Sequence, residues 1–529
     1  MSVHEASNLW EAFEQVAAQR ADAAALVFGN NTVSFTKLHQ DALHCAGWLA
    51  NKGIKRNSVV VLQLPKRRET YVLWLSCLHQ GAIYVFLDPQ NPTDRTQRTL
   101  ERIRPALLVT MGETLNPFGA TEHMSEAENS FWFAEQEKTL SAPVAAQVHG
   151  LSPAYIMFTS GSTGEPKGAV IPHQGILSLM RWVRSLIPQP FQQRFSNLNP
   201  LHFDNSVFDL YGGLLNGATL VAVETGQLHN PSAWVRRLRD NEVSVVFAVP
   251  TLFLTLDRMR LLTPKSLPEV HTFLFGGEGF PIETLKRFYN VFSDKARLVN
   301  VYGPTETSCI CSSLEVDSIA LEDAGNGFVS LGRMHRDFEY MILDENDVPC
   351  QPGEQGELWI GGANVGLGYY ANPIETNRCF VQDSQQSHYR STWYRSGDIV
   401  REDSSGLLWF LGRVDNQVKV RGHRIELEEI DFVLEAISEV TRAVAVTIEG
   451  ENGPEIQAVF SAHVTLEHDV MRAHCQLYLP KYMQPTRFVQ VEALLQNANG
   501  KVDRHATSMV LKTMPNSDEI PSISLRQNL

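Results

Sequence analysis

Short apolar runs that stop abruptly at glycine, proline or polar residues constrain this chain more than any other feature. Val59-Val60-Val61-Leu62-Gln63-Leu64 is strand-like, residues 68–80 are helix-like, and residues 82–87 are strand-like again. A helix leading to a short strand is expected over residues 9–27. The alternation resumes at Tyr155 and continues through residues 218–223, 243–248, 270–275 and 298–301. Apolar strands separated by helices build a parallel sheet covered on both faces, and ligands of such sheets sit beyond the carboxyl ends of the strands. From Gly353 the texture shifts to shorter strands and glycine-rich turns, with strands at 357–360 and 407–411. After about residue 413 a smaller unit begins, with a helix at 427–438 and strands near 442–448 and 456–463. Residues 112–150 read as loop, and residues 511–529 as a disordered tail. The fold class is therefore α/β and multidomain, with a large N-terminal domain of parallel-type sheets and helices and a small α+β C-terminal domain.

The run Tyr155-Ile156-Met157-Phe158-Thr159-Ser160-Gly161-Ser162-Thr163-Gly164-Glu165-Pro166-Lys167-Gly168 joins a strand to a loop of hydroxyl and glycine residues. Such a loop lets backbone N–H groups, hydroxyls and one ammonium converge on a polyphosphate. The P-loop spacing is absent, and the same composition also suits a flexible linker. At 529 residues with 43% hydrophobic content, the chain can bury a large core over two or three domains. A net charge of −14 argues against a general nucleic-acid binder. No basic patch followed by an apolar run opens the chain, and the longest apolar stretches are too short to span a bilayer, so a cytoplasmic location with no membrane association is expected. Seven scattered cysteines suit reduced, buried thiols; Cys309 and Cys311 lack the further ligands of a metal site.

An ordered series of motifs follows. Gly81-Ala82-Ile83-Tyr84-Val85-Phe86-Leu87-Asp88-Pro89 precedes the hydroxyl-rich loop; Phe203-Asp204-Asn205-Ser206 and Tyr302-Gly303-Pro304-Thr305-Glu306-Thr307 come next. Gly356-Glu357-Leu358, Tyr394-Arg395-Ser396-Gly397-Asp398, Gly412-Arg413-Val414-Asp415, Leu479-Pro480-Lys481-Tyr482-Met483 and Asn499-Gly500-Lys501-Val502-Asp503-Arg504 complete it. In this order, over roughly residues 10–505, the chain resembles the adenylate-forming superfamily of acyl-CoA synthetases, luciferases and nonribosomal-peptide adenylation domains. The likeness is strongest to the amino-acid-activating branch, including free-standing ligases such as D-alanine–carrier-protein ligase.

The resemblance implies an ATP- and magnesium-dependent activation of a carboxylate. Residues 1–413 would form the adenylation core, and residues 414–510 a mobile domain hinged at Asp415 and carrying the catalytic Lys501. Thr159, Ser160, Gly161, Ser162, Thr163, Gly164 and Lys167 would cradle the phosphates. Thr305 would bond the α-phosphate and Glu306 hold magnesium, a hard cation that prefers oxygen. Tyr302, Gly277 and Glu278 would border the adenine, with Asp398 accepting the ribose hydroxyls beside Arg413. Lys501 would stabilise the charge that builds on the α-phosphate, and no general base is required because a carboxylate is already nucleophilic. Gly422 resembles part of the face offered to a thiol after domain rotation, or is simply a turn glycine.

Asp204 bears on the substrate: in the amino-acid branch the matching acid pairs with the α-ammonium, and a buried carboxylate without a cation is costly. By family register the side-chain pocket comprises Asn205, Phe208, Phe247, Leu274, Gly276, Val301, Cys309 and Ile310, a neutral, mostly apolar set suited to a small-to-medium neutral amino acid. The acceptor would be the phosphopantetheine thiol of a separate carrier protein, since no condensation or carrier motif is present. Glu428 stands where multimodular domains usually carry glycine. Glu165 and Gly332-Arg333-Met334-His335 also depart from the family pattern without removing a catalytic group. An acyl-CoA synthetase for a small carboxylic acid and a non-catalytic nucleotide-binding protein remain alternatives; Asp204 opposes the first, and the joint presence of Lys501, Glu306 and Asp398 the second.

Overall fold

The computed structural model describes residues 6–112, 115–124, 148–161, 166–228, 230–322, 327–382, 391–450, 453–496 and 502–513. The chain divides into two compact units. One takes residues up to 89, 100–158 and 168–414; the other takes 90–99, 159–167 and the chain from 415 onward.

The first unit holds a six-stranded and a nine-stranded sheet and a smaller antiparallel one. In the six-stranded sheet Val59–Gln63 runs parallel to both Ile83–Phe86 and Leu107–Thr110. Every residue of Val59–Gln63 is buried, as expected of a strand covered on both faces. Helix Arg68–Gln80 spans the residues expected from the sequence and is buried from Thr70 to its end. It stops at Gly81, whose φ of 63° is the left-handed conformation glycine adopts without strain. A Cβ there would also lie 2.6 Å from Val148. Upstream, Asn8 caps helix Leu9–Gln19 and Ser34 caps Phe35–Asn51.

The nine-stranded sheet places Thr272–Gly276, Val245–Ala248, Arg194–Asn197, Thr219–Ala222 and Ala24–Phe28 side by side, all parallel. Arg297–Tyr302 extends it in parallel beyond Thr272–Gly276, and antiparallel strands close both edges. A further antiparallel sheet pairs Phe338–Leu343, Gln355–Gly362, Thr392–Glu402, Phe380–Gln382 and Leu408–Arg413.

The second unit contains the hairpin Gln417–Val420/His423–Glu426 and a three-stranded sheet of Val440–Gly450, Gly453–Ala462 and Arg487–Gln490. Helices Leu427–Glu435, His468–Tyr478 and Arg504–Thr513 accompany it. The last helix runs past residue 510, and Leu511 is buried, so residues 511–513 are not part of the tail expected there; residues 514–529 lie outside the described residues. The cause of the longer helix is tertiary: Val510 and Leu511 join an apolar cluster with Val444, Val446, Val459 and Val489. Likewise Ala120–His123, expected to be loop, is an edge strand paired with Leu107–Thr110. Among the described residues no helix is long and apolar enough to cross a membrane. The seven cysteines are free, and Cys309 and Cys311 are buried.

Candidate active site

From Arg194–Asn197 the chain crosses to Thr219–Ala222 on one side, then returns to Val245–Ala248 on the other. The order reverses there, which makes a crevice at the carboxyl ends of Arg194–Asn197 and Val245–Ala248 the natural ligand position. The ladders agree: Arg194–Asn197 pairs along its whole length with Thr219–Ala222, but with Val245–Ala248 only at Phe195. Beyond that pair the two strands diverge. Asp204 and its neighbours lie just past this opening.

A turn at Pro200–Phe203 leads into the helical turn Asn205–Val207, with Val207 N–H donating to Asp204 C=O at 2.8 Å. The helix then widens into a π-turn over Phe208–Gly213, a feature frequent at functional sites. Phe208 is thereby turned into the core, where its ring meets Phe247 edge-on with centroids 5.1 Å apart. Phe208, Phe247, Leu274, Val301, Cys309 and Ile310 all belong to one buried apolar cluster. Residues drawn from three strands, one helical turn and one loop are thus brought together. Ser308 and Cys309 both adopt positive φ, 65° and 84°, at the end of the short helical turn Thr305–Thr307. Gly276 is required by closeness rather than by φ: a Cβ there would lie 2.4 Å from Val301 O. The adjacent Gly277 has φ of 88°, and a Cβ there would lie 3.4 Å from Asn205 Nδ2.

Thr305 Oγ1 donates to Asp204 Oδ2 at 2.5 Å, joining two of the motif residues across a hundred positions of sequence. Glu306 is fully buried, and its Oε1 accepts from Tyr369 Oη at 2.7 Å. Glu278 Oε1 accepts from Thr251 N–H at 2.6 Å and so caps helix Pro250–Arg258, a role separate from any contact its backbone makes. Asp398 and Arg413 are register partners on adjacent antiparallel strands, and their side chains form an ion pair. Tyr302 Oη donates to the same carboxylate. Burial, then the neighbouring Asp398 charge, pushes the Tyr302 phenol well above its ordinary range. The Tyr302 ring is buried against Cys311, Leu358 and Ile360. Glu357, from the Gly-Glu-Leu motif, accepts from Gly397 N–H at 3.1 Å and from Arg395 at 2.9 Å, which fixes the strand bearing Asp398.

In the second unit Ser160 Oγ donates to Arg424 C=O at 2.9 Å and accepts from Glu426 N–H at 3.0 Å. Lys167 Nζ lies 4.0 Å from Glu426 Oε1, and burial pushes the Glu426 carboxyl upward. Thr159 ends its strand, Gly161 is buried, and Asp415 is exposed, with Oδ1 accepting from Gln417 N–H at 3.3 Å. Ser162, Thr163, Gly164 and Lys501 lie outside the described residues. The residues flanking Lys501 pair with each other, Gln496 with Val502.

Among the described residues no group of three or more His, Cys, Asp or Glu could hold a metal ion. A single buried carboxylate at Glu306 fits magnesium, which commonly takes one or two carboxylates and fills its remaining positions with phosphate oxygens and water.

The sequence profile of the family described as AMP-binding enzyme matches residues 13–370. The chain belongs to that family, the adenylate-forming superfamily, and is an ATP-using ligase like the adenylation domains of nonribosomal peptide synthetases. Tyrocidine synthase 1 of Brevibacillus parabrevis is 30% identical over 504 residues, covering 94% of this chain and 44% of its own length. The dimodular nonribosomal peptide synthase of Bacillus subtilis strain 168 is 31% identical over 512 residues, covering 94% of this chain and 21% of its own length. The chain thus spans less than half of either relative.

Among solved structures, IdnL1 superposes with a TM-score of 0.78 at 28% identity, covering 92% of this chain and 99% of that one. The Vibrio cholerae adenylation domain AlmE, in complex with glycyl-adenosine-5'-phosphate, gives 0.79 at 22% identity, covering 96% and 98%. The o-succinylbenzoate CoA synthetase MenE of Bacillus subtilis gives 0.82 at 22%, also covering 96% and 98%. At such identities the last two show the fold alone.

Sequence reasoning did not single out Tyr369, which bonds Glu306, or Lys66, Asn197, Asn199 and Asp209, which brace the crevice. Asp209 alone carried a signal, as an acid five residues after Asp204 in an otherwise apolar stretch.

Proposed function

We propose that this chain activates a small-to-medium neutral α-amino acid as its aminoacyl-adenylate and then passes the aminoacyl group to the phosphopantetheine thiol of a separate carrier protein. The observation that carries this reading is the Thr305–Asp204 hydrogen bond, set beside a neutral apolar cluster that holds Phe208, Phe247, Leu274, Val301, Cys309 and Ile310. It sets an acid able to pair with an α-ammonium beside a hydroxyl able to bond the α-phosphate. The substrate carboxylate, carried on the same carbon as the ammonium, would then lie between them.

In this scheme Asp204 binds the ammonium, while Asn205, Phe208, Phe247, Leu274, Gly276, Val301, Cys309 and Ile310 receive the side chain. Tyr302 and the backbone at Gly277 and Glu278 border the adenine, and Asp398 with Arg413 holds the ribose. Thr159 to Gly164 and Lys167 hold the phosphates. Magnesium, held by Glu306, would neutralise phosphate charge. The carboxylate oxygen attacks the α-phosphorus, the bond to the β-phosphate bridging oxygen breaks, and pyrophosphate leaves. Lys501 stabilises the charge on the α-phosphate oxygens, an interaction strongest in the transition state. In the second step the thiol sulfur attacks the acyl carbon, loses its proton, and AMP leaves. Between the steps the domain of residues 414–510 turns on Asp415 against the core of residues 1–413. Likeness of fold does not choose between an amino-acid and a CoA-dependent reading, because AlmE, solved with glycyl-adenosine-5'-phosphate, and the CoA synthetase MenE share it.

ATP–pyrophosphate exchange, measured across the proteinogenic amino acids, D-alanine and short-chain and aryl acids, tests the proposal. Exchange with a neutral amino acid, lost in Lys501→Ala, is the expected result. Exchange only with acids lacking an α-amino group overturns it in favour of an acyl-CoA synthetase.

A further inference from the structure

Two groups that the scheme above leaves unused lie buried beneath the crevice. Lys66 follows strand Val59–Gln63 of the six-stranded sheet and is 3% exposed. Its ammonium crosses to the nine-stranded sheet, donating to Asn197 C=O at 2.7 Å and Leu198 C=O at 2.9 Å. Asp209 is fully buried one residue after Phe208. Its Oδ2 accepts from Asn197 Nδ2 at 3.0 Å and Asn199 Nδ2 at 3.1 Å. Asn199 Nδ2 also donates to Phe247 C=O at 3.0 Å, across the gap where the two central strands part.

We propose that Lys66 and Asp209 act as one positioning unit for substrate recognition, holding the Asp204–Phe208 turn and the Phe247 wall at a set separation across the crevice. The proposal rests on the reading of Asp204 and Phe208 as amino-acid-binding residues.

The contacts fit this role better than a general stabilising one. Lys66 grips one side of the crevice at the two carbonyls where Arg194–Asn197 ends. Asp209 is bound covalently to Phe208, and Asn199 carries its hold to the backbone of Phe247 on the other side. Asn197 joins the halves, because its carbonyl receives Lys66 and its amide reaches Asp209; Tyr71 Oη fixes that amide by donating to Asn197 Oδ1 at 2.7 Å. A buried charge pair is a poor source of net stability compared with apolar packing, yet removing one partner is expensive. Burial drives Lys66 down and Asp209 up; the Asp209 charge opposes the first shift, and the Asn197 hydrogen bond and then the Lys66 charge oppose the second. A shift of either side would move a pocket wall or Asp204 by a fraction of an ångström, which matters where reacting groups must be aligned.

The test is kinetic, on Lys66→Met, Asp209→Asn and the double variant of the full chain, using amino-acid-dependent pyrophosphate exchange. Each single variant is expected to raise the amino-acid KM by about ten-fold or more while the ATP KM stays within about two-fold. The double variant should be no worse than the poorer single one, because neither charge is left alone. Asn199→Ala removes the bridge to Phe247 without changing charge and should raise the amino-acid KM several-fold, which keeps the test available where a charge variant does not fold. Equal rises in both KM values, additive effects in the double variant, or a lowered melting temperature with unchanged KM would each overturn the proposal. Wild-type exchange confined to acids without an amino group overturns the Asp204 reading instead, and the same KM split, measured with that acid, then decides the role of the pair.

Discussion

The acid proposed for ribose and the acid proposed for the substrate ammonium are held in different ways. Asp398 sits opposite Arg413 through the register of two adjacent antiparallel strands, fifteen residues apart in sequence. Tyr302 and Glu357 then secure that strand. Asp204 stands on a turn whose setting is assembled from distant parts of the chain: Thr305 on one side, and Lys66, Asn197, Asn199 and Asp209 beneath. Cross-strand pairing is a local device that survives small rearrangements elsewhere. A crevice between diverging strands has no ladder to set its width, so side chains must do so. The nucleotide-facing acid should therefore tolerate distant substitutions that the substrate-facing acid does not.

The largest effect should come from Asp204→Ala. Leaving the ammonium without its carboxylate partner is expected to lower amino-acid-dependent exchange by about 100-fold or more, with the ATP KM little changed. An equal loss for both substrates would erase the contrast between the two sites. Next comes Asp398→Asn, which removes a charge-assisted acceptor and should raise the ATP KM by roughly ten-fold while sparing the amino-acid KM. Initial-rate kinetics with each substrate varied in turn reads both.

Acidification should act on the first unit without regard to either acid. Burial holds His173 near a pKa of about 3 and His79 near about 4, against an ordinary value of 6.5. Both stay neutral in the folded chain while the unfolded chain takes up protons below 6.5, so the stability they contribute is present above that pH and is lost as pH falls toward their folded values. His173 alone should lower stability by roughly 2 kcal/mol between about pH 6.5 and 5, read from urea midpoints. A His173→Gln variant with an undiminished pH slope would refute its share. The smallest change is expected from Glu278→Ala, where loss of the cap on Pro250–Arg258 should reduce stability by about 1 kcal/mol in the same assay.

Legibility of the fold from sequence followed burial. Val59–Gln63, Thr272–Gly276 and Arg297–Tyr302 stand out because a strand buried on both faces must be apolar. Arg194–Asn197 does not, although it is central: Ser196 and Asn197 are polar yet buried, the latter because it serves the network under the crevice. Ala120–His123 is hidden for the opposite reason, being an edge strand with no buried apolar side to advertise it. Among the proposed site residues, those in motifs could be named in advance, and six of the proposed pocket residues, Phe208, Phe247, Leu274, Val301, Cys309 and Ile310, share one buried apolar cluster. Tyr369 and Lys66 could not, because the partners that give them meaning lie 63 and more than 100 positions away.

The sequence by itself determined the apolar part of the strand and helix alternation, the family, and which side chains can do chemistry at all, because composition and motif spacing are local properties. Only the tertiary structure decided that the strand order reverses between Arg194–Asn197 and Val245–Ala248, that Thr305 meets Asp204, and that a lysine from one sheet braces the other. Those facts depend on which buried polar groups find partners across the core, and desolvation makes such partnerships obligatory without revealing them in the linear chain.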